Sequence, residues 1–394
     1  MNNLVSFVKK TQVVYWVYYY VMSTLLKVIR FFVKTDDKTI LFVSYGGRHF
    51  NESPKCIYDA MLSDKRFKNY NLVWAFRNPD AVAISTPKIK IDSIQYYLTA
   101  LKARCWVTNV AIERGLDFRG KHTFYFHTTH TTFLKLMGYD DKSNSFDLPC
   151  GYKYDCSCAQ SEEDVKAQKS MFHITDKQIL MSGYPKNDCL CHYSALDREN
   201  IRKKLGISKD KIVILYAPTY RDISFGAMKC PVNFKKWEKV LGTKYVLLFR
   251  GHPVVSTTAN IDSSTGFIYD VSSYPDNMEL MIASDMLISD YSGIFFEFGV
   301  QEKAMFCFAY DYEEYTKIRG LYFDIREALP GGFMNEDELL EEIKQTDPHV
   351  LNQKVIDFRK KYITVYGNAT KKCLDKIYNE ISSKNIKLNG SLSK

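Results

Sequence analysis

Residues 286–298 read Met-Leu-Ile-Ser-Asp-Tyr-Ser-Gly-Ile-Phe-Phe-Glu-Phe. This order predicts an apolar strand, a polar turn, and a helix that begins where the apolar residues resume. Ser292 and Gly293 would stand at the start of that helix, where unpaired backbone N–H groups and the helix dipole favour an anion. The alternative is an ordinary N-cap serine with no ligand. The stretch predicts an α/β fold and a candidate phosphate site at the end of a strand.

The same alternation of short apolar strands and helical patterns runs along the chain and predicts parallel sheets. At 394 residues the chain is long enough for two or three domains. The turn-rich residues 183–188 predict a boundary near 190–208. Two doubly wound halves would then face each other across a cleft at the carboxyl ends of their strands. Predicted strands are 39–45, 70–76, 87–91, 104–109, 123–127, 178–182, 211–217, 244–250, 266–270, 285–289 and 304–308. Predicted helices lie near 53–63, 93–103, 161–171, 195–205, 233–240, 276–284, 292–301, 335–345 and 350–385.

The amino-terminal residues 1–34 form a segment of their own character. No charged residue occurs from Thr11 to Leu26, a stretch rich in Val and Tyr, and Lys27 and Arg30 follow it. A transmembrane helix needs about 20 apolar residues, whereas Tyr and Trp prefer the headgroup region. The segment therefore predicts a helix lying in a membrane interface; a tilted span and a helix docked on the body are the alternatives. No signal-peptide cleavage site follows it.

Charge is concentrated at the two ends of the chain. The net charge is +9; residues 1–34 carry five Lys/Arg and no acid, and residues 351–394 carry ten Lys/Arg and three acids, which leaves about −3 for the middle. A nearly neutral body with basic ends favours an anionic membrane surface as partner and does not suggest nucleic acid. Solvated helix faces would give the same pattern at the carboxyl end.

Metal and disulfide chemistry are not expected. The ten cysteines are scattered, most of them in apolar runs, as is typical of reduced core thiols in a cytosolic protein. The pairs Cys156/Cys158 and Cys189/Cys191 have spacing too short for a usual zinc site. No Asp-x-Asp occurs, so we expect neither a metal nor another cofactor, and a diphosphate site would have to supply its own positive dipoles.

Three polar clusters directly follow predicted strands. The first, at 126–135, contains His127, His130, four threonines and Lys135, and so offers a base, hydroxyl groups and a cation in one loop. The second is Ala217-Pro218-Thr219-Tyr220-Arg221-Asp222, and the third is Arg250-Gly251-His252-Pro253. Arginine can hold a phosphate in a bidentate fork and histidine can donate to a leaving oxygen. Structural histidines and structural ion pairs are the alternatives.

Together these motifs resemble the CDP-glycerol:glycerophosphotransferase family of bacterial teichoic acid and capsule synthesis. The resemblance runs from about Leu41 to Phe333. The motifs that carry it are Gly-Tyr-Pro-Lys-Asn-Asp at 183–188, Pro-Thr-Tyr-Arg-Asp at 218–222, Gly-His-Pro at 251–253, Ile-Ser-Asp-Tyr-Ser-Gly at 288–293 with Phe-Glu-Phe at 296–298, Tyr-Asp-Tyr-Glu-Glu-Tyr at 310–315, Arg-Gly-Leu-Tyr-Phe-Asp at 319–324 and Leu-Pro-Gly at 329–331.

The family's catalytic loop reads Trp-His-Gly-Thr-Pro-Leu-Lys-Lys-Leu-Gly-Phe-Asp, and residues 129–140 match it. His130 therefore corresponds to the family's base, whereas Thr129, Thr131 and Phe133 replace Trp, Gly and Pro. At the helix start, Ser292-Gly293 replaces a Ser-Ser pair. The resemblance implies His130 and His252 as catalytic residues. It implies a donor side of Thr219, Arg221, His252, Asp290, Ser292 and Gly293, and an acceptor side of His127, Thr132 and Lys135.

The resemblance also implies a fold and a reaction. The expected fold is α/β with two Rossmann-like domains of the glycosyltransferase-B kind, 35–192 for acceptor and base and 193–394 for donor, preceded by the membrane-associating segment 1–34. The expected reaction transfers glycerol phosphate or ribitol phosphate from a CDP-alditol to a lipid-linked glycan or polymer hydroxyl at the cytoplasmic face of the membrane. A metal-independent nucleotide-sugar glycosyltransferase and an inactive membrane scaffold are the competing hypotheses.

Overall fold

The computed structural model describes residues 12–142, 151–219, 221, 231–251 and 263–389. These residues form two separate β-sheets, each with all its strands parallel, and helices pack around both. The α/β class predicted from the strand and helix alternation is confirmed.

The first sheet has seven strands, which lie in the spatial order 3-2-1-4-5-6-7. Its first six positions follow the strand order of doubly wound nucleotide-binding folds. The strands are β1 (Asp36–Val43), β2 (Asn71–Phe76), β3 (Lys88–Lys90), β4 (Ala103–Thr108), β5 (Phe124–His127), β6 (Cys156–Ala159) and β7 (Ile179–Met181).

The second sheet has five strands in the order 10-9-8-11-12. Strands 8 and 11 are neighbours at its centre, and β11 carries the residues that open the 286–298 stretch. The strands are β8 (Ile212–Tyr216), β9 (Tyr245–Phe249), β10 (Ile268–Asp270), β11 (Met286–Ser289) and β12 (Ala304–Cys307).

Side-chain caps mark the starts of many helices in the described residues, among them Ser93, Ser161, Ser194 and Asn335, whose side chains accept hydrogen bonds from backbone N–H groups of the first turn. The helices are α1 (Gln12–Phe32), α2 (Glu52–Ser63), α3 (Ile94–Lys102), α4 (Glu162–Phe172), α5 (Asp188–His192), α6 (Ala195–Lys204), α7 (Phe234–Leu241), α8 (Asn277–Ala283), α9 (Ile294–Phe298), α10 (Tyr312–Ile318), α11 (Ile325–Ala328), α12 (Glu336–Gln345), α13 (Gln353–Tyr362) and α14 (Ala369–Asn389).

Two differences from the sequence prediction have simple causes. Strand β6 was not predicted because Cys-Ser-Cys-Ala lacks the β-branched and aromatic residues that mark strands. The helix predicted over 350–385 is two helices, α13 and α14, and Gly367 between them has a φ of +79° that a helix cannot contain.

The carboxyl-terminal helix α14 returns to the first sheet. Cys373, Ile377 and Ile381 are fully buried in one core cluster with residues of β1, β2 and β4. The buried guanidinium of Arg104 in β4 donates to the carbonyl of Glu380 at 3.3 Å. Sequence reasoning grouped these residues with 193–394, yet their packing partners lie in the amino-terminal half.

The amino-terminal helix α1 has one face on the body of the protein. Tyr15, Tyr19 and Leu26 are buried against it, and Lys27 forms an ion pair with Asp117 at 2.7 Å. The opposite face is apolar and exposed in the described part of the chain. Its members are Val13, Val17, Tyr18, Tyr20, Val21, Leu25, Val28, Phe31 and Phe32. No helix among the described residues is long and apolar enough to cross a bilayer.

We expect the Ile377→Ala variant to lower the free energy of unfolding by about 2–5 kcal/mol, because it leaves a cavity in a fully buried site. Chemical denaturation measures the change. Asn379→Ala, on the exposed side of the same helix, is the control and should change stability little. Equal stability of the two variants would contradict the docking of α14 on the first sheet.

Candidate active site

A cavity of about 560 Å³ lies between the carboxyl ends of the two sheets. Such crevices are where open α/β sheets bind ligands. The wall from the first half consists of Tyr45, Glu52, residues 130–135, Met137 and Lys186. The wall from the second half consists of residues 217–219, Arg250, Gly251, Ser272, Asn277, residues 291–294 and Glu297.

His130 stands on a strained loop at the edge of this cavity. Strand β5 ends at His127, and the chain turns sharply two residues later, where Thr129 has a φ of +51°. A β-branched residue rarely adopts that conformation, so the surrounding structure must enforce it. Burial, and then the positive charges of Lys186 and Lys135, lower the pKa of His130 to about 4. The imidazole is therefore neutral at pH 7 and can accept a proton.

The loop after His130 is tied to the second half through its backbone. Leu136 N donates to Gly320 O and Tyr322 N donates to Leu134 O, each at 2.9 Å, which makes a short antiparallel pairing. The hydroxyl of Tyr322 also donates to Asp140 at 2.5 Å. The motif at 319–324 thus holds the His130 loop in register with the second sheet.

A buried ammonium group joins three parts of the site. Lys186 Nζ lies 2.6 Å from Glu52 of α2 and 2.8 Å from Glu297 of α9, and it donates to the carbonyl of His130 at 2.5 Å. Burial lowers the pKa of Lys186, but Glu297 and Glu52 outweigh that effect and raise it. Burial raises the pKa of Glu297 despite the opposing effect of Lys186. Lys186 therefore couples the first half, the second half and the histidine loop.

Arg221 is paired within the protein. Its guanidinium donates to Asp311 twice at 2.8 Å, to Asp290 at 2.9 Å and to Thr219 O at 2.6 Å, and its side chain is buried. Asp290 in turn accepts from the backbone N–H of Thr219 and of Tyr291. Neither Arg221 nor Asp290 lines the cavity. Their contacts fix the shape of the 290–293 turn, so in this arrangement Arg221 offers no open fork to a phosphate.

The turn itself does line the cavity through Ser292 and Gly293. Ser292 Oγ accepts from Ile294 N at 3.3 Å, a local bond just ahead of the helix, whose N-cap position belongs to Gly293 and has no side-chain cap. Helix α9 has only five residues, so its dipole is small. Backbone N–H groups and the neighbouring cations, Arg250 and Lys135, are the groups that can face an anion here.

The acceptor-side candidates occupy different environments. Thr132 and Lys135 line the cavity, with Lys135 Nζ 5.7 Å from the ring centre of Tyr315. His127 does not line it: the imidazole is buried and stacks on Tyr154 with ring centres 3.9 Å apart. Burial and the nearby His130 lower the pKa of His127 to about 3. A histidine packed this way has the environment of a structural residue. His252 lies outside the described residues.

Sequence reasoning gave no role to several residues that line the cavity, namely Tyr45, Glu52, Lys186, Asn277 and Glu297, whereas Arg250 belongs to the third polar cluster predicted from the sequence. Lys186 and Glu297 lie in quoted motifs, but their partners are far apart in the chain. Two buried polar atoms of the second-half wall, Thr219 Oγ1 and Asn277 Oδ1, have no hydrogen-bond partner among the described residues. Buried polar atoms are normally satisfied, so this wall is suited to a polar ligand. Within the same described residues no cluster of three or more His, Cys, Asp or Glu could hold a metal ion.

A cavity between the carboxyl ends of two parallel sheets, lined by a histidine and by a strand-to-helix turn, is typical of a nucleotide-dependent transferase. The sequence model of CDP-glycerol:poly(glycerophosphate) glycerophosphotransferase matches residues 25–379. The chain belongs to this family, which confirms the resemblance drawn from its motifs.

Individual relatives agree with this membership. The chain is 33% identical to a teichoic acid poly(glycerol phosphate) polymerase of Staphylococcus epidermidis over 87% of its length, but spans only 51% of that protein. It is 31% identical to a teichoic acid glycerol-phosphate transferase of Staphylococcus aureus, covering 79% of this chain and 85% of the relative. A structure of the wall teichoic acid polymerase TagF, a histidine-to-asparagine variant soaked with CDPG, superposes with a TM-score of 0.81 at 30% identity, covering 92% of this chain and 93% of that one.

We expect Lys186→Met to lower the free energy of unfolding by about 3–5 kcal/mol, since it leaves Glu52 and Glu297 without their shared cation. Burial raises the pKa of Glu297, and without the cation nothing from Lys186 opposes this effect, so the folded state binds more protons than the unfolded state. Stability then falls as pH rises. The deficit relative to the parent protein should therefore be larger at pH 8 than at pH 5.

Denaturant unfolding at the two pH values measures this deficit. Lys166→Met, which removes an exposed pair with Glu163, is the matched control and should leave stability unchanged at both pH values. A deficit for Lys186→Met that does not vary with pH would argue against two stranded carboxylates.

Proposed function

We propose that this protein transfers glycerol phosphate, or ribitol phosphate, from a CDP-alditol to a hydroxyl of a lipid-linked glycan or growing polymer, releasing CMP, in teichoic acid or capsule synthesis. The observation that carries the proposal is the neutral His130 in the same cavity as the 290–293 turn, in a member of the glycerophosphotransferase family. The bacterial relatives named above act in teichoic acid synthesis, which supports this choice of polymer.

His130 is the proposed general base. Its imidazole takes the proton of the acceptor hydroxyl while that oxygen attacks the β-phosphorus of the donor. A new phosphodiester bond forms, and the bond from the β-phosphorus to the bridging oxygen breaks, so that CMP leaves with the electron pair. The negative charge of a bound diphosphate would raise the low pKa of His130 and make it a stronger base when the donor is present.

The second-half wall is the proposed donor side. Thr219 Oγ1, which has no hydrogen-bond partner in the described part of the chain, can meet the donor's polar atoms together with the guanidinium of Arg250 and the backbone N–H groups at Ser292 and Gly293. By its place in the family motif, His252 would stabilise the leaving CMP. Arg221 and Asp290 enter the proposal as residues that hold the turn. Thr132 and Lys135 face the acceptor, and no metal is invoked.

The two sheets are the proposed cores of two domains in a glycosyltransferase-B-like layout. Residues 35–192 would hold the base and acceptor, and residues from 193 onward the donor, with α14 crossing back to the first domain. The cavity between the carboxyl ends of the two sheets supports this division.

The exposed apolar face of α1 is the proposed membrane contact. Phe31 and Phe32 are 90% and 85% exposed, and large apolar groups this accessible mark interaction surfaces. A lipid interface suits them because Tyr side chains lie in the same face, Lys34 follows them, and residues 1–34 carry no acid. Docking there on the cytoplasmic face would bring the cavity to a lipid-linked acceptor and make the protein peripheral.

The direct test incubates purified full-length protein with CDP-glycerol, CDP-ribitol and UDP-sugars in the presence of lipid-linked acceptor and measures CMP against UDP. We expect CMP from a CDP-alditol. His130→Ala should lower turnover by about 100-fold or more while leaving donor binding by calorimetry intact. If UDP were released from a UDP-sugar and no CMP from a CDP-alditol, the protein would be a glycosyltransferase and the proposed reaction would be wrong.

The pH dependence adds a second readout to the same assay. Because only neutral imidazole accepts a proton, activity should be lost as pH falls through the pKa of His130. Lys135→Met should move that acid limb to higher pH, since it removes one of the charges that lower this pKa. The exposed His122→Ala is the control and should keep full turnover. If His130→Ala also kept full turnover, the general base would have to be another group.

Membrane contact is tested with the double variant Val21→Glu and Phe31→Glu, both on the exposed face. Deleting α1 would also uncover buried core, so substitution is the cleaner change. We expect binding to anionic vesicles to fall by about 10-fold or more, because apolar burial is lost and like charge is added. Activity on a short soluble acceptor should be retained.

Leu196→Glu is the matched control, an exposed apolar residue far along the chain from α1. It should bind vesicles as the parent protein does. Unchanged vesicle sedimentation by the double variant would move the anchor to the basic carboxyl-terminal residues.

A further inference from the structure

Gly293 faces Thr131 across the cavity with no room for a side chain. A Cβ atom built on Gly293 would lie 2.4 Å from Thr131 Oγ1, 2.6 Å from its Cγ2 and 2.9 Å from its Cβ. Real Cβ atoms essentially never come that close to another heavy atom. Thr131 is β-branched and stiff about χ1, so its side chain cannot simply swing away.

The backbone does not explain the glycine. Gly293 has φ −63° and ψ −9°, a right-handed helical conformation open to every residue. The reason for glycine at 293 is thus the neighbouring side chain.

Thr131 also forms a hydrogen bond to the backbone of the 290–293 turn. Thr131 Oγ1 donates to the carbonyl of Gly293 at 3.1 Å and lies within reach of the Glu297 carboxyl. Glu297 is held by Lys186, which also holds the carbonyl of His130. The contact between Thr131 and Gly293 therefore closes a ring of interactions between the residue next to the base and the turn that faces the donor.

We propose that Thr131 and Gly293 form a complementary pair that sets the position of His130 relative to the 290–293 turn. Thr131 is the positioning residue, and it can occupy this place only because residue 293 has no side chain. The inference rests on the proposed function, since the distance that it fixes is the one between the base and the phosphate-bearing wall.

The test is a double-mutant cycle on the full-length protein with CDP-glycerol and lipid-linked acceptor. Gly293→Ser should lower kcat/KM by about 100-fold or more, because a displacement of about 1 Å misaligns the base. Thr131→Gly should lower it by about 10-fold, mainly through kcat, as the loop loses its tie. The combined variant, Thr131→Gly with Gly293→Ser, should recover at least 10-fold over Gly293→Ser alone.

Two controls make the result specific. Thr132→Gly in the Gly293→Ser background removes the adjacent threonine and should give no recovery. Thr131→Val keeps the shape but loses the hydroxyl, so it should lower kcat while KM for the donor stays unchanged. The pairing would be overturned if the losses in kcat/KM of the two single variants simply multiplied in the combined variant. It would also be overturned if Thr132→Gly restored kcat/KM in the Gly293→Ser background.

Thermal unfolding separates this inference from the proposed function. Gly293→Ser should lower the unfolding midpoint by about 2–4 °C, and Thr131→Gly in the same chain should restore it. If the parent protein turns over no CDP-alditol, the proposed reaction fails, while the restored midpoint still supports the pair. An unchanged midpoint together with unchanged turnover in Gly293→Ser would overturn it.

Discussion

The ammonium group of Lys186 is the constraint on which the site depends. It is buried between Glu52 from the first half and Glu297 from the second, and it also donates to the carbonyl of His130, the proposed base. A buried charge is tolerated only when oppositely charged groups and hydrogen-bond acceptors surround it. Separating the two halves here would therefore leave Lys186, Glu52 and Glu297 either exposed to water or buried without a partner. One ammonium group therefore helps to fix both the relative position of the two halves and the position of the histidine loop.

A second buried cation is used in the same way on the other wall. Arg221 is held between Asp290 and Asp311 and fixes the 290–293 turn. Because both cations are already neutralised, neither Lys186 nor Arg221 presents a full charge to a ligand. Among the described residues, Arg250, Lys135 and backbone dipoles at the rim of the cavity can still attract a phosphate. Lys186 and Arg221 thus fix the geometry of the site, and other groups supply the positive charge that a ligand meets.

The sequence predicted the fold well because strands and helices are local patterns. Eleven of the strands in the described residues were predicted, and β6 was missed because its small residues, Cys-Ser-Cys-Ala, pack without the usual strand signal. The site was predicted less completely. His130, Thr219 and the 292–293 turn meet at one cavity, but the burial of His127 and the internal pairing of Arg221 depend on residues distant in the chain. Motif spacing says which residues are near a strand end, and it cannot say which charges neutralise each other there.

The return of α14 to the first sheet bears on how the chain acquires its structure during synthesis. Cys158 and Cys373 touch within one core although 215 positions separate them. The amino-terminal half therefore emerges from the ribosome with one side of its sheet uncovered. That side stays exposed until the second half has been synthesised. Contacts this distant in sequence slow folding and leave apolar surface exposed meanwhile. A pause in translation ahead of residue 369 would prolong that interval, so recovery of active protein should be sensitive to chaperone supply and to the rate of elongation.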